Sequence, residues 1–202
     1  MHTKLTRAEK ILDLSQKIMT FCKSDKSAEE NTVDIIIAIQ QIIVIEAVGL
    51  RLSNGFDYPY FFTKGFSPLF VQKEFYLCTR DYFGTAIKDS SGKPILECMC
   101  GNVLCGRIDS SLPCFTQFGS FWTNSTTGLL ASTTEEQRQS KTRNQCNKEG
   151  YESVALIPIK SGEKILGLLQ FNDKRENVFT EEDIRFFEGV ASTIAVVLSS
   201  AK

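Results

Sequence analysis

The stretch from 153 to 198 reads SVALIPIKSGEKILGLLQFNDKRENVFTEEDIRFFEGVASTIAVVL, and it decides the fold. The run GYESVALIPIK (150–160) is dense in β-branched and apolar residues and predicts a strand. Ser161-Gly162-Glu163 follows as a tight turn, and KILGLLQFND (164–173) supplies the antiparallel partner. After a short loop, Thr180 stands three residues before Asp183, a variant of the pattern that caps a helix N-terminus. Ile184, Phe187, Val190, Ala191, Ile194, Val197 and Leu198 then recur at helical spacing and give that helix an apolar face.

Upstream of this unit, AVGLRLS (47–53) alternates as a first strand and stops at Asn54-Gly55. An aromatic-rich segment follows, FDYPYFFTKGFSPLFVQKEFY (56–76). Its Pro59, Gly65 and Pro68 predict a short strand, a turn and a helical turn. Nearer the start, Leu5, Ile11, Leu14, Ile18, Phe21 and Cys22 form a narrow helical stripe over 4–23. A polar break, SDKSAEEN, leads into a second helix, about 29–45, that is apolar nearly all round and is expected to be buried. The order is helix, helix, strands, irregular segment, hairpin, helix. It predicts an α+β fold, an antiparallel sheet with the N- and C-terminal helices on one face and a long irregular ligand cover on the other. Residues 1–26 are expected to be an N-terminal helical segment able to serve pairing or signalling, and 27–202 a sensory domain.

The charge balance is nearly neutral, at −1 over 202 residues, so no broad basic field recruits nucleic acid. The polar start MHTKLTRAEK lacks a secretory apolar core, and IIIAIQQIIVIEAVGL is broken by two Gln and one Glu. No membrane span and a cytoplasmic location are therefore expected. Seven cysteines in a reducing compartment favour metal or redox chemistry over a disulfide framework. Six of them lie between Cys78 and Cys146, inside the irregular segment, where an Asp89–Gly92 turn precedes KPILECMC and 133–142 is expected to form a short helix. Long excursions of this kind inside a domain are usually functional.

Several motifs carry a family likeness. The close of the chain resembles the last two strands and final helix of a GAF domain. EFYLCTRD, LECMCGNVLCGRID, FGSFWTNSTTGLLAST and TRNQCNKEGYESVALIP are similar to a cysteine-containing GAF subfamily found in prokaryotic sensor histidine kinases. The resemblance implies a sensory domain that binds a small molecule between sheet and cover, with a histidine kinase as a downstream partner. It also marks Cys78, Cys98, Cys100 and Cys146 as positions where the subfamily carries cysteine, whereas Cys105 and Cys114 depart from its pattern.

Four thiolates at one point repel each other unless a cation or covalent bond compensates. The four cysteines are therefore expected to converge on an iron–sulfur cluster or a zinc ion, with Cys22 outside. If the C-x-C pair lies on a strand, its thiols face one side about 6–7 Å apart, which suits two corners of a cluster. Haem is disfavoured, because the single histidine is His2 and no C-x-x-C-H motif occurs. The same scarcity of histidine rules Cys-His and Ser-His catalysis out of the body of the chain. No phosphate-binding or dinucleotide-binding glycine loop is present. Two alternatives stay open: a binding module for an organic small molecule with structural cysteines, and a C-x-C dithiol enzyme resembling GAF-type methionine sulfoxide reductases. Trp122 stacks on a ligand or plugs the core. Asn124 binds a ligand or satisfies turn backbone. Arg143 holds an anion or offsets thiolate charge, or else makes a surface salt bridge. The stripe of 5–22 and the C-terminal helix 181–199 are expected to lie side by side and to leave part of each apolar face for a homodimer, with Leu14 and Ile18 as the positions that test it.

Overall fold

The computed structural model describes residues 6–21, 25–139 and 142–200. Leu5 and Cys22 of the first stripe lie outside them, as does His2. Two helices open the chain, α1 (Arg7–Phe21) and α2 (Ala28–Ile43), followed by β1 (Ala47–Leu52), β2 (Tyr60–Lys64) and α3 (Pro68–Glu74). The middle holds α4 (Cys98–Cys105), β3 (Phe121–Thr123), α5 (Thr126–Ser132) and α6 (Gln145–Lys148). The chain closes with β4 (Ser153–Ser161), β5 (Lys164–Asp173) and α7 (Glu181–Ser200). All strand pairs are antiparallel, in the order β2-β1-β5-β4-β3.

Local chemistry sets the helix starts. Ser27 and Glu30 form a reciprocal capping box at α2. At α7 the Thr180 hydroxyl accepts from the Asp183 amide, while the Asp183 carboxylate accepts from the Thr180 amide. Ser67 caps α3 with Pro68 in its first turn.

Both faces of the sheet are covered, so each strand divides its side chains between two cores. On the helix face, Ala155, Ile157, Leu169, Phe171, Val48 and Leu50 pack against α1, α2 and α7. On the cover face, Val154, Leu156, Leu168, Phe121, Tyr60 and Ala47 pack against α4 and its neighbours. Leu14 and Ile18 of α1 belong to the chain's own helix-face core, while Leu12 and Met19 remain exposed. The stripe expected to pair with a second copy thus places those two residues inside the domain. Among the described residues, no helix is long and apolar enough to cross a membrane.

Two local expectations are corrected. The C-x-C pair starts a helix: the Gly101 amide donates to the Glu97 carbonyl at 3.0 Å, and Gly106 ends α4 in the left-handed region. Gly101 is required there, because a Cβ would sit 2.6 Å from the Leu96 carbonyl oxygen. The expected helix over 133–142 is instead a turn at 135–139, with α5 before it and α6 after. Thr134 and Gln137 bond each other reciprocally as at a helix start, but Gln139 takes φ 55°, which ends the turn before it propagates. The turn at Asp89–Gly92 forms as read, with the Asp89 carboxylate accepting the Ser91 and Lys93 amides.

Candidate functional site

The alternation that builds the cover-face core also opens a cavity of about 70 Å³ between sheet and cover. Arg51, Tyr60, Phe121, Val154, Leu156 and Gln170 contribute from the strands. Cys98, Met99 and Cys100 contribute from α4, and Leu129 and Leu130 from α5. Arg138, Thr142, Asn144 and Cys146 close it from the segment around α6, and Glu74 from the end of α3.

Three of the four expected cysteines share this cavity: Cys98, Cys100 and Cys146. Residues i and i+2 of a regular helix point to different sides, but Cys98 begins α4 with φ 62°, so the pair departs from helical phase and both line the wall. Cys78 does not join them. It is buried elsewhere in the cover-face core, its amide bonded to the Asp57 carboxylate at 3.1 Å. Asp57 also accepts from the Leu77 amide at 3.2 Å, and so ties the start of the irregular segment to the β1–β2 connection. The four-thiolate cage does not fit this arrangement. Among the described residues, no group of three or more His, Cys, Asp or Glu side chains is placed to hold a metal ion. Cys105 is exposed, Cys114 is half-buried, and neither lines the cavity.

The thiols are held protonated. Burial pushes Cys98 up to about 12, with the Glu74 carboxyl adding to it and the Arg143 amide opposing it. Burial pushes Cys100 up to about 11 against the pull of Arg51. Burial and the neighbouring Cys100 raise Cys146 well above the ordinary thiol range, and burial with the Asp57 carboxylate raises Cys78 to about 11. The nucleophilic form of cysteine is the thiolate, so none of these sulfurs is poised as a nucleophile at neutral pH. A pH dependence follows. Below the ordinary thiol value of 9.0 both folded and unfolded chains hold these protons. Above it the unfolded chain releases protons that Cys98 and Cys100 keep until about 12 and 11. Stability is therefore expected to fall as pH rises from about 9, by up to about 1.4 kcal/mol per pH unit for each thiol. Urea midpoints between pH 8 and 10.5 measure this, and Cys98→Ser with Cys100→Ser should flatten the slope. An unchanged slope would mean that other groups cause it.

The remaining sequence candidates have structural duties. Trp122 is on the opposite face of β3 from Phe121, packed on the helix-face core and away from the cavity. Asn124 ties the chain before α7: its Nδ2 donates to the Phe179 carbonyl at 2.8 Å, and its Oδ1 accepts from the Phe179 amide at 3.0 Å. Arg143 holds the wall together. Its side chain donates to the Tyr76 and Leu77 carbonyls at 2.9 and 3.0 Å and to Glu97 at 2.9 Å, lies 3.5 Å from Glu74, and its amide donates to Cys98 Sγ at 3.0 Å.

Sequence reasoning passed over Arg51, Glu74, Arg138 and Gln170. One signal was present for Arg51, a charge inside an otherwise apolar strand and in phase with Ala47 and Gly49. Arg51 is fully buried, bonded through Nη1 to the Tyr58 and Phe75 carbonyls and through Nη2 to that of Glu74, with its guanidinium carbon 3.5 Å from the Tyr60 ring centroid. Tyr60 in turn donates to Gln170 Oε1 at 2.8 Å.

Solved structures share this architecture at low identity. The GAF domain of a phosphoenolpyruvate-protein phosphotransferase from Coxiella burnetii superposes with a TM-score of 0.65 at 15% identity, covering 97% of this chain and 96% of that one. A free methionine-R-sulfoxide reductase from Neisseria meningitidis, in complex with its substrate, gives 0.65 at 11%, covering 100% and 95%. A domain of a putative two-component sensor histidine kinase protein from Sinorhizobium meliloti gives 0.54 at 10%, covering 88% and 94%. No curated protein matches the chain. Residues 117–199, which span β3 to α7, match the sequence profile of the GAF domain. Residues 117–199 thus carry the sequence pattern of the GAF domain, and the chain as a whole has the fold of solved GAF domains.

Proposed function

We propose that this GAF domain is a regulatory module that binds a small molecule in the cavity between the sheet and the α4–α6 cover. The observation that carries the reading is the cavity itself. It is bounded by the strands below and helices above, and three polar atoms of its lining, Arg51 Nε, Arg138 Nε and Thr142 Oγ1, are buried without a hydrogen-bond partner. Native interiors leave few such atoms unsatisfied, and a bound molecule is one way to satisfy them. Occupancy reaches α7 through β4 and β5, which present Val154, Leu156 and Gln170 to the cavity and Ala155, Ile157 and Phe171 to the helix face. In this reading α7 passes the state of the pocket to an output partner, a histidine kinase among the possible kinds.

The three thiols on one wall support a second reading, a thiol-dependent reductase or redox sensor, and free methionine-R-sulfoxide reductases share the fold. The raised thiols weigh against it, because turnover needs a thiolate at working pH. A cavity-filling change, Val154→Phe, separates the readings. Screening a metabolite library by thermal shift, the wild type is expected to be stabilised by at least one compound, with the variant insensitive to it. A library that shifts both proteins equally would sink the pocket reading. Reduction of methionine sulfoxide by the wild type would establish the second.

A further inference from the structure

We infer that the ligand of this cavity is a compact carboxylate, an inference that rests on the pocket reading above and names its chemical class. The charges come first. Arg51 and Arg138 both line the cavity and both are more than nine-tenths buried. Arg51 directs its terminal nitrogens to backbone carbonyls, and Arg138 Nη1 bonds the carbonyl and the hydroxyl of Thr133. Among the described residues neither is paired with a carboxylate, and the Nε of each has no partner. Thr142 adds a third unpartnered polar atom, the Oγ1 hydroxyl. The acidic side chain of the lining is Glu74. Burial raises its pKa, so its negative charge is disfavoured, and what charge it keeps faces Arg143. Two buried guanidinium ions against one hindered carboxylate leave the site in want of an anion. The first turn of α4 adds to the same sign, since Cys98, Met99 and Cys100 line the cavity and the N-cap Glu97 makes no side-chain capping bond.

Size and the apolar part of the lining then narrow the anion. A dry cavity of about 150 Å³ holds benzene, so about 70 Å³ fits roughly three to five non-hydrogen atoms. Met99, Phe121, Leu129 and Leu156 give the remainder an apolar surface. That surface suits a short alkyl end and leaves the oxygens of a fully polar oxyanion without partners on that side. A carboxylate can take the Arg138 and Thr142 donors at one end while its carbon chain faces Leu156 and Phe121 at the other.

The test uses acetate and its neutral isostere acetamide on the whole chain at pH 7.5 and fixed ionic strength, read by calorimetry and thermal shift. Acetate is expected to bind at least tenfold more tightly than acetamide. Arg138→Met should abolish that preference, and the isosteric Thr142→Val should weaken acetate about tenfold while leaving the fold intact, so the inference stays testable if the arginine variant does not fold. Equal binding of acetate and acetamide to the wild type overturns the carboxylate assignment and leaves the pocket reading standing. Acetate binding that is unchanged in Thr142→Val and in the cavity-filled Val154→Phe places the anion outside this cavity and overturns the assignment too. No binding of either probe, together with a library response that Val154→Phe does not alter, overturns both readings.

Discussion

Replacing Arg51 by Met is expected to destabilise the domain by about 3–5 kcal/mol. The side chain is fully buried in β1 and serves three backbone carbonyls, those of Tyr58, Phe75 and Glu74, at 3.0, 3.1 and 2.6 Å. Two belong to the end of α3 and its exit, so one guanidinium fastens the start of the cover to the second strand of the sheet order. Met fills much of the volume and lies on the Tyr60 ring, but it leaves three buried acceptors empty, each at about 1–3 kcal/mol before relaxation. Arg51→Lys should recover only part of the loss, since one ammonium group cannot reproduce the planar fork. Urea denaturation of the three proteins measures the effect. A loss under about 1 kcal/mol for Arg51→Met would show that water replaces the guanidinium, and that the cover does not depend on it.

Phe187→Ala should cost a similar amount, about 3–5 kcal/mol. The ring is fully buried, its centroid 4.5 Å from that of Phe171 on β5 and 6.2 Å from that of Phe179 in the loop before α7. Phe171 neighbours Gln170, which faces the cavity, so this aromatic cluster lies on a covalent and packed route from pocket to helix. Phe187→Leu keeps most of the apolar volume and should cost well under half as much. The pair therefore gives a second readout: hydrogen exchange along α7 with and without a pocket ligand. If ligand protects α7 equally in the wild type and in a folded Phe187→Leu, the aromatic cluster is not the route.

The architecture was legible from local patterns. The strand pair 153–173, the Thr180–Asp183 cap and the apolar face of α7 are encoded by residues within hydrogen-bond or one-turn reach of each other, and such signals survive without tertiary context. Strand alternation also contained the two-sided core, since β3, β4 and β5 each alternate between the faces. Where the reading departed from the structure, longer-range contacts decided. KPILECMC has the look of a second hairpin arm, and its first part does pair back through Lys88 and Pro94. The helix that begins at Cys98 depends on Gly101 fitting against the Leu96 carbonyl, which no periodicity reveals.

The cysteines show the same division. Their types and spacing marked the irregular segment as the place where function lies, and three of them do line its cavity. Spacing along the chain does not say which way a side chain points, and Cys78 is held in another part of the core by its neighbours around Asp57. Nor could the sequence show that these thiols are protonated, because burial, the first cause of each shift, exists only once the cover closes. What the sequence by itself determined is the set of elements: the β4–β5 hairpin and the capped helices, each specified by contacts close along the chain. What only the tertiary structure decided is the pocket. Arg51, Arg138 and Thr142 are separated by up to 91 positions (142 − 51 = 91) in the chain, and folding alone brings their unpartnered polar atoms around one cavity.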